Sequence, residues 1–300
     1  MRFSVRAPAS SANLGPGFDA LGLALDLWNE ITVDTDGAGV TIGGADARQM
    51  EDKENYTLLA MRELAKEHGR TLPGFSLDIC AEIPVARGLG SSAAALACGL
   101  AAANILADLR LSIDDLYLHA WQMEGHGDNV GAAIYGGAVL AAPGLRTVVR
   151  LTDGVVPGLK AVVFIPEATS ATWAARAALP TTVPLSDAAH NVGTASALAV
   201  GLLTGDLSLI AAGMHDRLHE PYRARLFPHL TPMTDASRTA GAIGSTLSGA
   251  GPSILSLVET EHVADVVDAL HLVAAHHRVA GRVEVLDPAS SGVRVDMLRD

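Results

Sequence analysis

"IPVARGLGSSAAALACGL", residues 83–100, is the stretch from which the chain is best read. An apolar run leads into a turn of two glycines and two serines, and an alanine-rich run follows. The second run reads as a helix over residues 91–106, opened by serines. Backbone N–H groups of residues 88–93 would then stand at the positive end of that helix and could cradle an anion. Glycine lets the backbone come close, and the Ser91 and Ser92 hydroxyls can add hydrogen bonds or a metal contact. The plain alternative is a tight strand-to-helix turn capped by serines. Loop composition alone leaves both open.

Two familiar nucleotide loops fit poorly. GLGSSA matches the dinucleotide pattern GxGxxA in form. The strand before such a loop is buried on both faces and reads continuously apolar. Here Phe75, Leu77, Ile79, Ala81 and Ile83 alternate with Ser76, Asp78, Cys80 and Glu82, which predicts a strand with one buried face in an antiparallel or mixed sheet. An acid closing the next strand about 20 residues on is also expected. Asp108 has that spacing but leads into a helix cap. A Walker A loop needs a lysine, and none is present.

Working outward, Phe3, Val5 and Ala7 predict a first strand, and residues 10–19 (SSANLGPGFD) a turn-rich segment. Apolar residues at odd positions from Leu21 to Val33 predict a second strand, Val40 and Ile42 a third, and residues 55–68 a helix. Ser112 to Glu124 reads as a helix with Ser112 as N-cap and Asp115 completing a capping box. Pro143, Gly144, Gly154, Pro157 and Gly158 suggest a boundary between domains at 1–150 and 151–300. Beyond it the pattern gives a strand at 159–165, several helices, a strand at 254–258, a helix at 262–277 and a final strand at 282–286.

Glu124 is the informative carboxylate. Ile113, Leu116, Ala120 and Glu124 share one helical face, so Glu124 lies on the apolar side. It also sits at the negative end of its helix, where the macrodipole disfavours an acid. A cation would explain it, and one carboxylate plus substrate phosphates is how magnesium is usually held. The alternative is a frayed last turn in solvent, since Gly125 follows. EGHGDN, residues 124–129, packs two acids, a histidine and an amide into six positions, and such loops are more often functional than structural.

Composition sets bounds. Of 300 residues, 49% are hydrophobic and 4% aromatic, so alanine, leucine and valine must do most of the packing. With 33 acids against 21 bases the formal charge is −12, which argues against nucleic acid and anionic membranes as partners. Cys80 and Cys98 form no metal pattern, and neither a signal core nor a membrane span is evident. The expectation is a soluble, reduced, cytoplasmic protein.

Three separated motifs together carry a resemblance. PVARGLGSSAA (84–94) resembles the phosphate loop of the GHMP small-molecule kinases, and LSGAGPS (247–253) resembles their C-terminal glycine motif. ANLGPGFDALGLAL (12–25) resembles the N-terminal motif of one branch, the homoserine kinases. EGHGDN, TWAARAALP (172–180) and HDRLHEPYRARLFP (215–228) are similar to the same branch. The resemblance runs from residue 5 to about residue 295, nearly the whole chain.

It implies an α+β two-domain GHMP kinase fold, with an N-terminal ribosomal-S5-domain-2-like domain and a C-terminal ferredoxin-like domain, and a site between them. It implies ATP-dependent phosphorylation of the L-homoserine side-chain hydroxyl with Mg2+, in threonine biosynthesis. Pro84, Val85, Ala86, Arg87, Gly88, Leu89, Gly90, Ser91, Ser92, Ala93 and Ala94 would hold the triphosphate, with Asn55 near the base and Ser92 and Glu124 at the metal. Asn13, Asp19, His126, Arg176 and Arg223 would surround homoserine. Asp19 suits its ammonium, and the arginines suit its carboxylate. Sister kinases place an aspartate, read as a base, where Asn129 stands here. Positioning and charge neutralisation would then carry the catalysis, with the proton leaving through phosphate or water. Gly127 replaces the proline common in the branch's EGHPDN loop.

Rival readings remain at this stage: the same chemistry on mevalonate or shikimate, a dinucleotide-dependent oxidoreductase, or a non-catalytic nucleotide binder. A homodimer is left open. His215, Asp216 and His219 approach the zinc pattern HExxH, but the acid is the shorter aspartate and no third ligand is evident. A surface-turned helix leading to Arg223 is the expectation there. His271, His276 and His277 are assigned to a solvated face, Asp114 and Asp115 to the first turn of their helix, and Cys80 to the polar side of its strand.

Overall fold

The computed structural model describes residues 1–44, 55–141, 144–145, 147–152, 156 and 158–298. Pro143, Gly154 and Pro157, used above to mark a boundary, lie outside them.

The first sheet is built on a long antiparallel pair, β1 (Arg2–Ala12) and β2 (Leu21–Asp34). Phe3, Val5 and Ala7 of β1 are buried. A register shift between Pro8 and Ala9 breaks the alternation, and the strand runs on through Ser10, Ser11 and Ala12, all buried. The turn-rich segment therefore starts at Asn13 and not at Ser10. Strand β3 (Gly39–Gly44) pairs parallel with β4 (Ser76–Ala81), and β4 pairs antiparallel with β2, giving the mixed sheet that the alternation predicts. β5 (Ala138–Leu140) pairs with β2, and β6 (Val149–Arg150) pairs with β5.

Helices cover one face of this sheet. α1 (Tyr56–Glu67) is capped by the Asn55 side chain, which accepts from Leu58 N–H. α2 (Ser91–Leu106) is apolar all round and packs on α1, β1 and β2. α3 (Ile113–Glu124) carries the expected capping box between Ser112 and Asp115. α4 (Asp128–Tyr135) follows after a short loop.

The second sheet is fully antiparallel in the order β10-β7-β9-β8: β7 (Leu159–Pro166), β8 (Gly244–Leu247), β9 (Ile254–Glu259) and β10 (Gly281–Leu286). Numbered along the chain this is 4-1-3-2 with helices after the first and third strands, the split β-α-β arrangement of ferredoxin-like folds. α5 (Thr172–Ala177), α6 (Leu185–Thr204), α7 (Leu207–Gly213), α8 (Glu220–Arg223) and α9 (Leu230–Thr239) fall in the first crossover, and α10 (Val263–His277) in the second. His271, His276 and His277 are exposed on α10, as expected.

Three details depart from the sequence pattern. β8 is short and wholly buried, so it shows no alternation to read. The strand at 281–286 is not the last: β11 (Arg294–Met297) returns to the first sheet and pairs antiparallel with β1. No helix spans 215–219; His215 and Asp216 precede a turn that ends at α8. Among the described residues no helix is long and apolar enough to cross a membrane. Both cysteines are free, Cys80 exposed and Cys98 buried.

Candidate active site

The C-terminal end of β4 delivers the chain into the glycine turn, and three successive choices of backbone shape it. Ala86, Gly88 and Gly90 all have positive φ, at 56°, 75° and 68°. A Cβ on Gly88 would drive into the Ser248 carbonyl oxygen, and one on Gly90 into the Ser10 hydroxyl. Both positions therefore require glycine for space as well as for conformation. Gly90 is the N-cap of α2 and offers no side-chain cap. The first N–H groups of a helix have no intrahelical partner, so those of α2 are left for something else.

The three glycine-rich segments meet here. Ser248 Oγ donates to Gly88 O at 2.7 Å, Gly249 N–H to Ala12 O at 3.1 Å, and Asn13 Nδ2 to Gly249 O at 2.8 Å. Between them lies a cavity of ≈ 410 Å³. It is lined by Asn13, Asp19, Asn55, residues 84–92, Glu124, His126, Asn129, Arg176 and Arg223, from both halves of the chain. Ala93 and Ala94 do not reach it; they are fully buried inside α2. The Arg87 side chain donates to Pro166 O and Glu167 O at 2.8 and 2.9 Å and so ties the loop to the end of β7.

One wall of the cavity carries a hydroxyl–carboxylate pair. Ser92 Oγ donates to Glu124 Oε1 at 2.7 Å, and the Glu124 side chain is only 12% exposed. The helical-face argument holds at this end of α3, although Ile113 at the other end is half exposed. His126 Nε2 lies 4.0 Å from Glu124 Oε1, and His126 Nδ1 lies 3.2 Å from Asp128 Oδ1. Burial alone would lower the His126 pKa; the Asp128 hydrogen bond and the charges of Asp128, Glu124 and Asp19 outweigh it and raise it. Asn129 Oδ1 accepts from Ser10 Oγ at 2.9 Å, which turns its amide nitrogen away from that serine. Asn55 Nδ2 is buried without a partner at the edge of the cavity.

Another wall, of Asp19, Arg176 and Arg223, gathers around Phe18. The guanidiniums of Arg176 and Arg223 both lie 5.5 Å from its ring centroid. Arg176 forks onto Asp19 with two hydrogen bonds of 2.8 Å, which raises the arginine pKa. Arg223 is 2% exposed and donates to Ala175 O, Gly249 O and His219 Nδ1. Burial, and after it the nearby Arg176 charge, pushes the Arg223 pKa below its usual value.

Several supporting residues escaped the sequence pattern. His219, set aside above as part of a surface helix, is fully buried and bonds Gly15 O through Nε2 at 2.8 Å. The Asp216 carboxylate accepts from the N–H groups of Leu218, His219 and Glu220 and from Asn191 Nδ2, fixing the turn that aims Arg223. The Glu220 carboxylate accepts from Leu247 N–H at 2.6 Å and from Thr246 Oγ1, joining α8 to β8. The HDRLH spacing does carry a signal, but for a capped buried turn and not for a metal. Ser10 carries no sequence signal of its own.

A magnesium ion with a nucleotide fits one wall. Ser92 and Glu124 offer adjacent oxygens, and the uncapped α2 N-terminus suits phosphate oxygens. Among the described residues no three His, Cys, Asp or Glu side chains converge on a metal position.

Comparison with known proteins agrees with this geometry. Residues 55–137 match the GHMP kinases N terminal domain, and residues 198–274 match the GHMP kinases C terminal domain. The homoserine kinase of Caldicellulosiruptor bescii is 41% identical over 261 residues, covering 86% of this chain and 85% of that protein. The homoserine kinase of a Synechococcus species (strain CC9605) is 40% identical over 297 residues, covering 96% and 94%. The crystal structure of homoserine kinase from Cytophaga hutchinsonii superposes with a TM-score of 0.87 at 31% identity, covering 98% of this chain and 97% of that one. L. major mevalonate kinase shares the fold with a TM-score of 0.71 at 16% identity, covering 96% of each chain. The chain belongs to the homoserine kinase branch of the GHMP kinases, with their α+β two-domain fold, and the dinucleotide reading of GLGSSA is set aside.

Proposed function

We propose that this GHMP kinase transfers the γ-phosphoryl group of ATP to the side-chain hydroxyl of L-homoserine, giving O-phospho-L-homoserine and ADP. The observation that carries the reading is the meeting of two unlike walls in one cavity. One offers an uncapped helix N-terminus with the Ser92–Glu124 pair; the other offers Asp19, Arg176 and Arg223. The first suits a metal-bound triphosphate and the second a zwitterionic amino acid. The identity of about 40% to homoserine kinases over most of the chain supports the same acceptor.

In this reading the first N–H groups of α2 and the loop of residues 84–92 hold the phosphates, and Asn55 turns its unpartnered Nδ2 to the base. Ser92 and Glu124 hold Mg2+, which would supply charge neutralisation for the transferred group. Asp19 receives the substrate ammonium, and Arg176 and Arg223 receive its carboxylate. Asn13 shapes the wall, because its amide is already bonded to Gly249 O and to Asp19 N–H. Asn129 positions the acceptor hydroxyl and cannot take its proton as a base. His126 stands between Glu124 and Asp128, whose charges favour its protonated form, at the edge of the space proposed for homoserine. Catalysis then rests on positioning and electrostatics, which is sufficient for a loose phosphoryl-transfer transition state. The chain divides for this purpose into an ATP-binding part, 1–150, and a C-terminal part, 151–300.

The test is ADP release with purified protein, Mg2+ and ATP. Homoserine should trigger it, and mevalonate, shikimate and galactose should not. Release on another alcohol but not on homoserine would overturn the substrate assignment.

A further inference from the structure

A second cavity, of ≈ 220 Å³, lies apart from the first. Its lining includes Arg6 of β1, Trp28 of β2, Arg294 of β11, and Ser290 and Ser291 of the segment joining β10 to β11. Arg6 and Arg294 are direct cross-strand partners in the β1–β11 register. Side chains so placed share a face, with Cβ atoms about 4.5–5.5 Å apart, and like charges there are destabilising. A chain with 33 acids and 21 bases would be expected to supply carboxylates to such a pair.

It does not. Among the described residues neither guanidinium makes a hydrogen bond or an ion pair, and Arg6 Nε is buried with no partner. Arg6 rests on the Trp28 ring at 5.2 Å. Glu30, opposite Arg6 on β2, forms no ion pair with it. The two acids in the cavity wall bond groups other than these arginines. Asp26 accepts from Trp28 Nε1, and Asp287 accepts from Lys160 Nζ at 2.6 Å. A buried guanidinium nitrogen without a partner is costly, and the cost falls if an oxyanion accepts from it.

We propose that this cavity is a second ligand site, for a small anion bearing a carboxylate or phosphate group. Arg6 and Arg294 grip the oxyanion as two forks, Ser290 and Ser291 add hydroxyls, and Trp28 provides the apolar wall. The size admits a metabolite of a few carbons and excludes a nucleotide. The site spans strands β1, β2 and β11 and the segment that enters from β10 of the second sheet. Its occupant therefore fastens the connection between the two sheets and stabilises the folded chain by mass action.

The experiment is a titration of the full chain with inorganic phosphate and, separately, with succinate, read by tryptophan fluorescence and thermal melting. It is run with Mg2+, saturating ADP and saturating L-homoserine, so that both walls of the first cavity are occupied. At least one anion should raise the melting temperature saturably and change the fluorescence. Arg294→Gln, at an exposed strand position, and Arg6→Gln should each weaken that anion by about tenfold or more, the size of one lost charge-assisted fork. Arg294→Gln should leave ADP release with homoserine unchanged, which keeps the test separate from the catalytic reading. If phosphate alone acts, the site takes phosphoryl compounds; if succinate alone acts, it takes carboxylates. Absence of a saturable response to either anion, or an equal response in Arg294→Gln, would overturn the proposal.

Discussion

The two walls of the large cavity are both polar, yet they are prepared differently. On the phosphate side, several donors stand open beside the Ser92–Glu124 hydrogen bond. The α2 N-terminus has no side-chain cap, and Asn55 Nδ2 is buried without a partner. On the amino-acid side, groups satisfy one another. Arg176 is forked onto Asp19, and Arg223 spends its bonds on Ala175 O, Gly249 O and His219. An open backbone nest binds an anion without giving anything up. A paired wall must exchange an internal ion pair for the opposite charges of its ligand. A zwitterion allows that exchange, because it brings both charges at once, whereas a simple alcohol leaves the Asp19–Arg176 pair intact and gains nothing. In the proposed reading the paired wall works as a filter for the acceptor, and the open wall as a holder for the donor.

The largest expected effect comes from the open wall. Glu124→Gln should lower turnover by about two to three orders of magnitude, the scale for removing one group that stabilises transition-state charge, and should weaken the magnesium dependence. Steady-state kinetics across magnesium concentrations would check it, and near-normal rates would make Glu124 a bystander. Next in size, Arg176→Gln should raise KM for homoserine by about ten- to a hundredfold while KM for ATP stays put, because one bidentate contact is lost on the acceptor side alone. A parallel rise in both constants would erase the distinction between the walls.

Asn129→Asp probes the space between them, and it should bring no gain in turnover. A large gain with homoserine binding unchanged would mean that a base had been missing and that positioning is not sufficient. The smallest effect concerns His126. Its pKa is raised in the folded chain, so its contribution to stability is present below the unfolded value and is lost as pH rises through the folded one. His126→Gln should therefore cost stability at pH 6, by about 1 kcal/mol, and little at pH 9. Denaturant unfolding at the two values would show it, and an equal cost at both would contradict it.

The walls also differed in how well the sequence announced them. The open wall is local: a strand, a glycine turn and a helix follow one another from Ser76 to Leu106, and the alternation, the glycines and the capping box at Ser112 are short-range signals. Glu124 could be placed on an apolar face from spacing alone. The paired wall is assembled by contacts across the chain. Asp19 meets Arg176 from 157 residues away, and His219 meets Gly15 from 204. No periodicity encodes such pairs, which is why the HDRLH segment read as a surface helix and His219 as a bystander. β8 and β11 were missed for a related reason. β8 is buried on both faces and four residues long, and β11 is exposed throughout, so neither alternates in burial. Family resemblance supplied what local patterns could not, assigning Arg176 and Arg223 to one site before either could be placed beside Phe18.

The acceptor filter is the core of the account, and one assay addresses it directly. With ATP and Mg2+ present, ADP release is followed as L-homoserine is added, and again with alcohols that lack the paired ammonium and carboxylate. Saturable release is expected with homoserine, and none above background with mevalonate, shikimate or galactose. Release on one of those alcohols in the absence of any response to homoserine would contradict it.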